Sequence, residues 1–304
     1  MKRQFLSAVV VLAVSFPCSL SAADFFRIGT FNIERLGSRS PGQQPIAIAE
    51  HIDLSGADVI GLQEIDVTTT VTDDTSTPYD DSRRNDALDT AFAILSQEDD
   101  VDWKYELFPN RDPNDSTQLC GVAWNAKQII RDGAAFPIPI TGSNANRIWD
   151  RRPHAVKLSY APGKTDVVFI PVHMKSNFGS AAQGRATRKK EANALVSQLA
   201  AVSAHFGDDK DIIVGGDTNI LAADEDAAEI FGNAGYRDTN SLDATTFIGS
   251  GRGAPFDRFF LSDEPEFVFA RQYILQATEP VAHDEYLSDH QMALISFRVK
   301  ADDD

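Results

Sequence analysis

Ten short apolar runs, rich in Val, Ile and Phe, set the main limit on what this chain can fold into. They lie at Phe26–Ile33, Asp58–Glu64, Tyr105–Phe108, Gly121–Asn125, Ala155–Ser159, Val167–His173, Ile212–Gly216, Phe256–Leu261, Phe267–Arg271 and Met292–Val299. Each is bounded by turn residues and is too short for a stable helix, so the pattern predicts strands. Helical patterns fall at Ile46–Leu54, Asn85–Gln97, Ala186–Ala204 and Ala223–Gly232; the third carries Ala192, Leu195, Val196 and Leu199 as a one-sided stripe. Many strands against four helices predict an α/β fold, with two sheets packed face to face and helices outside. No internal repeat or Pro-, Gly- or Ser-rich linker divides the chain, so one domain is expected over 24–300.

The beginning of the chain has a different character. Lys2 and Arg3 precede an apolar stretch from Phe5 to Phe16, and small residues through Ala22 and Ala23 follow. That order predicts a signal peptide over 1–23, cut after Ala22 or Ala23, and hence a secreted or periplasmic protein. The alternative, a membrane anchor, fails on length, because a spanning helix needs about 20 apolar residues. Cys18 leaves with the leader, so the mature chain keeps only Cys120, within the apolar Leu119–Trp124 run, as a buried strand residue. The formal charge is −17. Loss of Lys2 and Arg3 takes it to about −19, which argues against a sequence-independent nucleic-acid binder. The Thr- and Asp-rich stretch 66–84 reads as a solvated loop, and the acidic end, 301–304, as a disordered tail.

Several predicted strands end in polar residues that a strand does not need. Ile28–Phe31 ends at Asn32, Val59–Leu62 at Gln63 and Glu64, Val168–Val172 at His173, and Ile212–Gly216 at Asp217 and Asn219. Asp257 lies inside the apolar Pro255–Phe260 stretch, and Ser288-Asp289-His290 precedes the last strand. Functional side chains concentrate where rigid strands hand over to loops. A histidine beside a carboxylate can be kept basic enough to deprotonate water. These endings together predict one shared pocket.

The set Phe31-Asn32-Ile33, Gln63-Glu64, Val172-His173-Met174-Lys175-Ser176, Gly216-Asp217-Thr218-Asn219 and Ser288-Asp289-His290 resembles the endonuclease/exonuclease/phosphatase superfamily, in the family's order. That superfamily includes pancreatic-type deoxyribonuclease, abasic-site endonucleases, neutral sphingomyelinases and inositol polyphosphate 5-phosphatases. The resemblance implies a four-layer α/β sandwich of two mainly antiparallel sheets flanked by helices. It also implies Mg²⁺, with Mn²⁺ or Ca²⁺ as alternatives, held by Glu64, Asn32 and Asp289. His290, oriented by Asp257, would position or deprotonate the attacking water. Asp217 and Asn219 would hold the nucleophile, and His173 would donate to the phosphate or leaving oxygen. Asn32 and Arg151 would contact the phosphate, Arg151 through a match of Arg151-Arg152-Pro153 to an Arg-x-Pro segment, with Arg152 as its adjacent rival. Gln118 stands where the nucleases carry a glutamate that supports the first histidine. Their DNA-groove contacts find no match.

The implied activity is an exported metal-dependent phosphoesterase acting on phosphodiesters by in-line attack, with nuclease as the favoured subtype and DNA or RNA among the substrates. The alternatives are a phosphatase or phospholipase C-type enzyme on lipid or small phosphate esters, and a non-catalytic binding protein on the same scaffold. No stable membrane insertion and no protein partner is implied. Residues with plainer readings remain. Asp257 could pair with Arg258, and the cluster Arg185, Arg188, Lys189, Lys190 could be a solvated face or a phosphate-steering patch. His51, His154, His205 and His283 read as packing or surface residues, His154 being the one near enough to Arg151 to approach the pocket. Phe25, Phe26, Phe259, Phe260, Phe267 and Phe269 are expected in the core.

Overall fold

The computed structural model describes residues 24–98, 100–110, 117–140 and 148–302; the expected signal segment and residues 303–304 lie outside them. One six-stranded sheet runs in the spatial order β13 (Arg271–Ile274), β14 (Ala293–Arg298), β1 (Phe25–Leu36), β2 (Val59–Ile65), β6 (Leu119–Asn125), β5 (Trp103–Leu107). The other runs β11 (Arg237–Asp238), β12 (Asp257–Leu261), β10 (Ile212–Asp217), β9 (Asp166–His173), β8 (His154–Ser159), β7 (Ile130–Pro137). The pairs β1–β2 and β9–β10 are parallel and the remaining pairings in both sheets are antiparallel. A two-stranded ribbon, β3 (Thr69–Thr70) with β4 (Arg83–Arg84), ties down the acidic loop. Helices α1 (Pro45–Ser55) and α2 (Asp86–Glu98) cover the first sheet. Helices α3 (Ala181–Val196), α4 (Leu199–His205) and α5 (Asp226–Asn233) cover the second, and α6 (Pro280–Tyr286) leads into β14.

Strand alternation sorts the apolar side chains into three cores, and so produces the four layers. Phe26 and Ile28 of β1 face the gap between the sheets, with Phe169, Ile213, Phe259 and Ile295. Phe31 and Ile33, one step out of phase, pack with Ile48 and Ile52 of α1. On the second sheet, Val168, Ile170 and Val214 pack outward against Leu195, Val202 and Phe231 of the helices. The two sheets approach closely at Gly61, where a Cβ would sit 2.9 Å from the Phe169 ring of the other sheet. Gly215 makes room within its own sheet for its cross-strand neighbour Phe259, whose ring a Cβ would meet at 2.4 Å.

Five expectations need correction. The run at Phe267–Arg271 is no strand: Pro265–Phe267 forms a 3₁₀ turn, and β13 begins where that run ends. Arg237 donates to the carbonyls of Phe267 and Ala270, which fixes the turn, and Phe269 projects outward at 89% exposure. Phe25 is likewise surface-exposed, so neither ring belongs to the core, whereas the other four do. The helix expected over Ala186–Ala204 begins earlier and is broken. Ser180 caps its start by accepting from the Gln183 N–H, and Ser197 bonds back to the Ala194 carbonyl where α3 ends. The acidic loop is more ordered than its composition implies, because Asp74 and Asp80 accept from Ser76 and Ser82 in side-chain turns. At the other end, Ala301 bridges Lys164 and the Asp302 N–H donates to the Gly163 carbonyl.

Candidate active site

Register builds the site. His173 lies directly opposite Asp217, and Asp217 directly opposite Asp257. Each shares parity with inward residues of its strand (Phe169, Ile213 and Phe259), so the three side chains form a row facing the other sheet. Asn32 has the parity of Phe26 and Ile28 and reaches the same gap from β1. Its Nδ2 donates across the sheets to Asp217 Oδ2 (3.0 Å) and within its own sheet to Glu64 Oε1 (3.2 Å).

Glu64 should face away from this gap, because it shares parity with Ile60 and Leu62, which pack under the helices. The chain reverses that with a register shift between Leu62 and Ile65 and a left-handed backbone at Glu64, φ 62°. Irregularities of this kind re-aim a side chain at a strand end. For a residue with a Cβ the conformation costs roughly 1–2 kcal/mol, which marks a functional position. Glu64 Oε1 consequently lies 3.8 Å from His173 Nε2, and that nitrogen lies 3.3 Å from Asp217 Oδ2. Asn219, also left-handed at φ 53°, sits beside them; its N–H donates to Asp217 Oδ1 and its side chain to the Met174 carbonyl.

His290 enters from the segment before β14. Its Nδ1 is 2.8 Å from Asp257 Oδ2, both groups being buried, while its Nε2 is 3.8 Å from Asp217 and 3.9 Å from Asp289. Arg258 instead joins Asp238 and Asp243, which disposes of the plainer pairing for Asp257. Burial would depress the His290 imidazole, but Asp257, Asp217 and Asp289 hold it up, to about 10. His173 is displaced the other way, well below its ordinary value, by burial and by the cations of Arg151 and His290. Without a metal the two imidazoles therefore stand on opposite sides of neutrality, His290 as the cation and His173 neutral.

Glu64, His173, Asp217, Asn219, Asp289 and His290 line a single cavity of about 550 Å³. Burial raises the carboxyl of Asp217 to about 6 and that of Asp289 to about 7; nearby Glu64 adds to both and His290 offsets part. Carboxylates crowded in this way suit a hard divalent cation, and the set contains oxygen donors and imidazoles with no thiolate. Ligating atoms of Glu64, His173 and Asp217 lie within 4.8 Å of one another, so this trio is a candidate cation site alongside the expected Glu64, Asn32 and Asp289. Asn32 presents its nitrogen to Glu64, because its Oδ1 accepts from the Glu34 N–H.

Arg151 reaches the site through Gln118. Its Nη2 donates to Gln118 Oε1 (2.8 Å), and Gln118 Nε2 donates to Glu64 Oε2 (3.2 Å). Gln118 thus orients the carboxylate, and among the described residues His173 Nδ1 has no hydrogen-bond partner. Arg152 turns away to the carbonyls of Pro137 and Ile138, which selects Arg151 of the two. His154 stacks on Phe108 and His205 on Phe136, both outside the cavity. The basic cluster dissolves: Arg188 is buried in a bidentate pair with Glu225, and Lys189 pairs with Asp226.

Two contributors carry no assigned role in the sequence pattern. Ser288 Oγ donates to the Asn32 carbonyl (2.6 Å) and accepts from the His290 N–H (3.0 Å), joining the two halves of the site. His283 Nε2 lies 2.9 Å from the His290 carbonyl. Ser288 stood inside a quoted motif, so its position was visible; His283 had no signal beyond being seven residues from His290.

A hard-cation carboxylate set beside two oppositely displaced imidazoles, at one end of two facing sheets, defines a metal-dependent phosphoesterase architecture. The chain belongs to the Endonuclease/Exonuclease/phosphatase family, whose model matches residues 29–290. No curated protein matches it in sequence. In structure it is similar to the human Nocturnin catalytic domain with bound sulfate (TM-score 0.58, 15% identity, 91% of this chain and 98% of that one). It is also similar to a Bacteroides thetaiotaomicron mannosyl-6-phosphatase (0.60, 14%, 90% and 99%) and to D. rerio TDP2 complexed with single-strand DNA product (0.57, 13%, 90% and 99%). At these identities the likeness shows the shared fold.

Proposed function

We propose that this protein is an exported, Mg²⁺-dependent phosphodiesterase, with nucleic acid as its favoured substrate. The observation that carries the reading is the facing of Glu64, thrown inward by its backbone, against the register-matched row His173, Asp217 and Asp257. A divalent cation held by Glu64 and Asp289, with Asn32 or Asp217 beside them, would neutralise phosphate charge. The remaining work belongs to side chains. Asp257 fixes the His290 ring through Nδ1; with the charges of Asp217 and Asp289 neutralised by the cation, the ring would lose part of the support that keeps it protonated, leaving Nε2 to hold and deprotonate the attacking water. Asp217 and Asn219 orient that water toward phosphorus. His173 lines the cavity and Arg151 is tied to Glu64 through Gln118; on this reading they bind the phosphoryl oxygens and the departing alkoxide. In-line displacement depends chiefly on positioning and charge neutralisation, and this set provides both.

Export rests on the leader-like order of residues 1–23; amino-terminal sequencing of protein secreted by the producing cell tests it, and recovery of Met1 would refute it. Acidity supports a second reading, a phosphatase or phospholipase C acting on small or lipid esters, for which the mannosyl-6-phosphatase likeness is a precedent of fold. Plasmid DNA, sphingomyelin and a chromogenic phosphodiester, each incubated with Mg²⁺ and with EDTA, separate these readings. EDTA-sensitive cutting of plasmid is the expected outcome. Turnover of sphingomyelin alone would select the second reading, and no EDTA-sensitive turnover would leave a binding protein. His205→Ala serves as a surface control.

A further inference from the structure

On the His173 side of the cavity, the loop Ser176-Asn177-Phe178 carries a phenyl ring that is 96% exposed yet lines the pocket. An aromatic ring left in water normally finds cover, since removing its apolar surface from water is favourable. Here the backbone withholds it. Both peptide groups of Lys175 are clamped by α3: Glu191 accepts its N–H (2.9 Å) and buried Arg188 donates to its carbonyl (2.8 Å). Asn177 Nδ2 donates to the Asn219 carbonyl (2.8 Å), which pins the next turn to the catalytic loop. Gly184 lets α3 press against the loop, because a Cβ there would meet the Ser176 carbonyl at 2.9 Å. The ring is thus presented from an anchored ledge, and ordering it on binding costs little.

We infer that Phe178 is a stacking platform for a planar base attached to the scissile phosphate, so that the substrate class is nucleotide diesters. The inference rests on the phosphodiesterase reading above and specifies its substrate. The surroundings select a base over a hydrocarbon chain. Phe178 projects between Asn177 and Gly179 into a cavity that Leu221, Phe247 and Phe256 also line, but polar Ser176, Asn177 and Asn219 and exposed Arg252 interrupt that apolar surface. An acyl chain would need a continuous apolar channel, whereas a base offers a π-face for the ring and polar edges for these neighbours. Among the described residues Arg252 forms no ion pair, so its guanidinium is free for a flanking phosphate.

The test compares wild type, Phe178→Ala and Phe178→Trp on thymidylyl-thymidine and on glycerophosphocholine, a diester with no ring. Phe178→Ala should cut the selectivity for the dinucleotide at least tenfold, mostly through KM, and Phe178→Trp should restore it. A second readout needs no turnover. Trp103, Trp124 and Trp149 are buried, so new exposed emission in Phe178→Trp reports position 178. Thymidine 5′-monophosphate should quench it and glycerol 3-phosphate should not. Selectivity within twofold of wild type in Phe178→Ala, or equal response to both phosphates, overturns the assignment. Loss of glycerophosphocholine or sphingomyelin turnover with dinucleotide turnover intact overturns it in favour of lipid. Absent EDTA-sensitive turnover of any ester refutes the phosphodiesterase reading, while the fluorescence result still decides the stacking role.

Discussion

Replacing Asp257 with Asn probes the core of the site while changing almost no volume. Asp257 Oδ2 and His290 Nδ1 are 2.8 Å apart, and both residues are buried. Taking the charge centres as roughly 4 Å apart at an effective dielectric constant of about 20, their attraction is about 4 kcal/mol. That corresponds to about three pH units on the imidazole. His290 stands at about 10 in the metal-free protein, so Asp257→Asn should bring it to about 7. The asparagine oxygen can still accept the Nδ1 proton, but it no longer stabilises the cation that forms when Nε2 takes a proton from water. A loss in kcat of about 10³–10⁴, with KM nearly constant, is expected by analogy with a neutralised triad aspartate. Imidazole ¹⁵N chemical shifts, followed through a titration of metal-free protein, give the first quantity. Initial rates on a chromogenic diester with saturating Mg²⁺ give the second. A titration midpoint within half a pH unit of wild type, or kcat within fivefold, would refute the claim that this carboxylate controls His290.

Four further outcomes follow from the same geometry. Glu64→Gln should abolish the rise in melting temperature produced by Mg²⁺ and cut turnover at least a thousandfold, while the metal-free protein melts no lower than wild type; an undiminished Mg²⁺ effect would remove Glu64 as a ligand. Arg188→Leu leaves Glu225 buried without its bidentate partner and should cost about 3–5 kcal/mol in urea unfolding; a loss under 1 kcal/mol would show that the pair is dispensable. His154 is held down to about 4, chiefly by burial, so below pH 6.5 the unfolded chain binds a proton that the folded chain refuses; its stability contribution is complete above 6.5, declines as pH falls toward 4, and totals about 3 kcal/mol, a slope that His154→Gln should flatten in pH-dependent denaturation. Because few cations reach the cavity, the logarithm of KM for a short oligonucleotide should change with the logarithm of salt by a slope of about 2 or less, and a slope near that of an extended groove binder would contradict this.

Much of this arrangement is legible without coordinates because strand periodicity is simple. Once Phe26 and Ile28 are assigned inward, Asn32 must follow them, and the same parity carries His173, Asp217 and Asp257 into one gap. Periodicity fails at Glu64, where counting by twos sends the carboxylate under the helices; only the register shift and the left-handed backbone bring it back. Nothing in the residues Gln63-Glu64-Ile65 announces that reversal; Glu64 enters the pocket reading as a strand ending and through the family resemblance, not through parity. Gln118 was attributed to His173 because one structural role was carried over with the position, whereas a shorter path links it to Glu64 and Arg151. Arg188 shows the opposite error: a run of four charges looks like one patch, but a helix distributes them around its axis and buries the one that faces the sheet. Phe269 misled for a similar reason, since alternating aromatics mimic a strand even where Pro265 forces a turn.

The charge of the chain and the crowding of its carboxylates have one consequence together. A protein at −17 does not draw a polyanion from a distance, and beyond about 8 Å at physiological ionic strength its field is largely screened in either direction. Discrimination must then arise at contact, from the groups that touch the phosphate and its two ester arms. Among the described residues the cations placed to act there are Arg151, held through Gln118, and Arg252 in the cavity lining. The carboxyls of Asp217 and Asp289, raised by burial and by nearby Glu64, give the metal-free cavity a tendency to hold protons that a divalent cation would displace. The same cation would supply the positive charge the surface lacks. On the proposed reading, such a phosphoesterase would depend on its metal for capturing substrate as well as for chemistry, and its reach along a nucleic acid would be confined to the nucleotides beside the scissile bond.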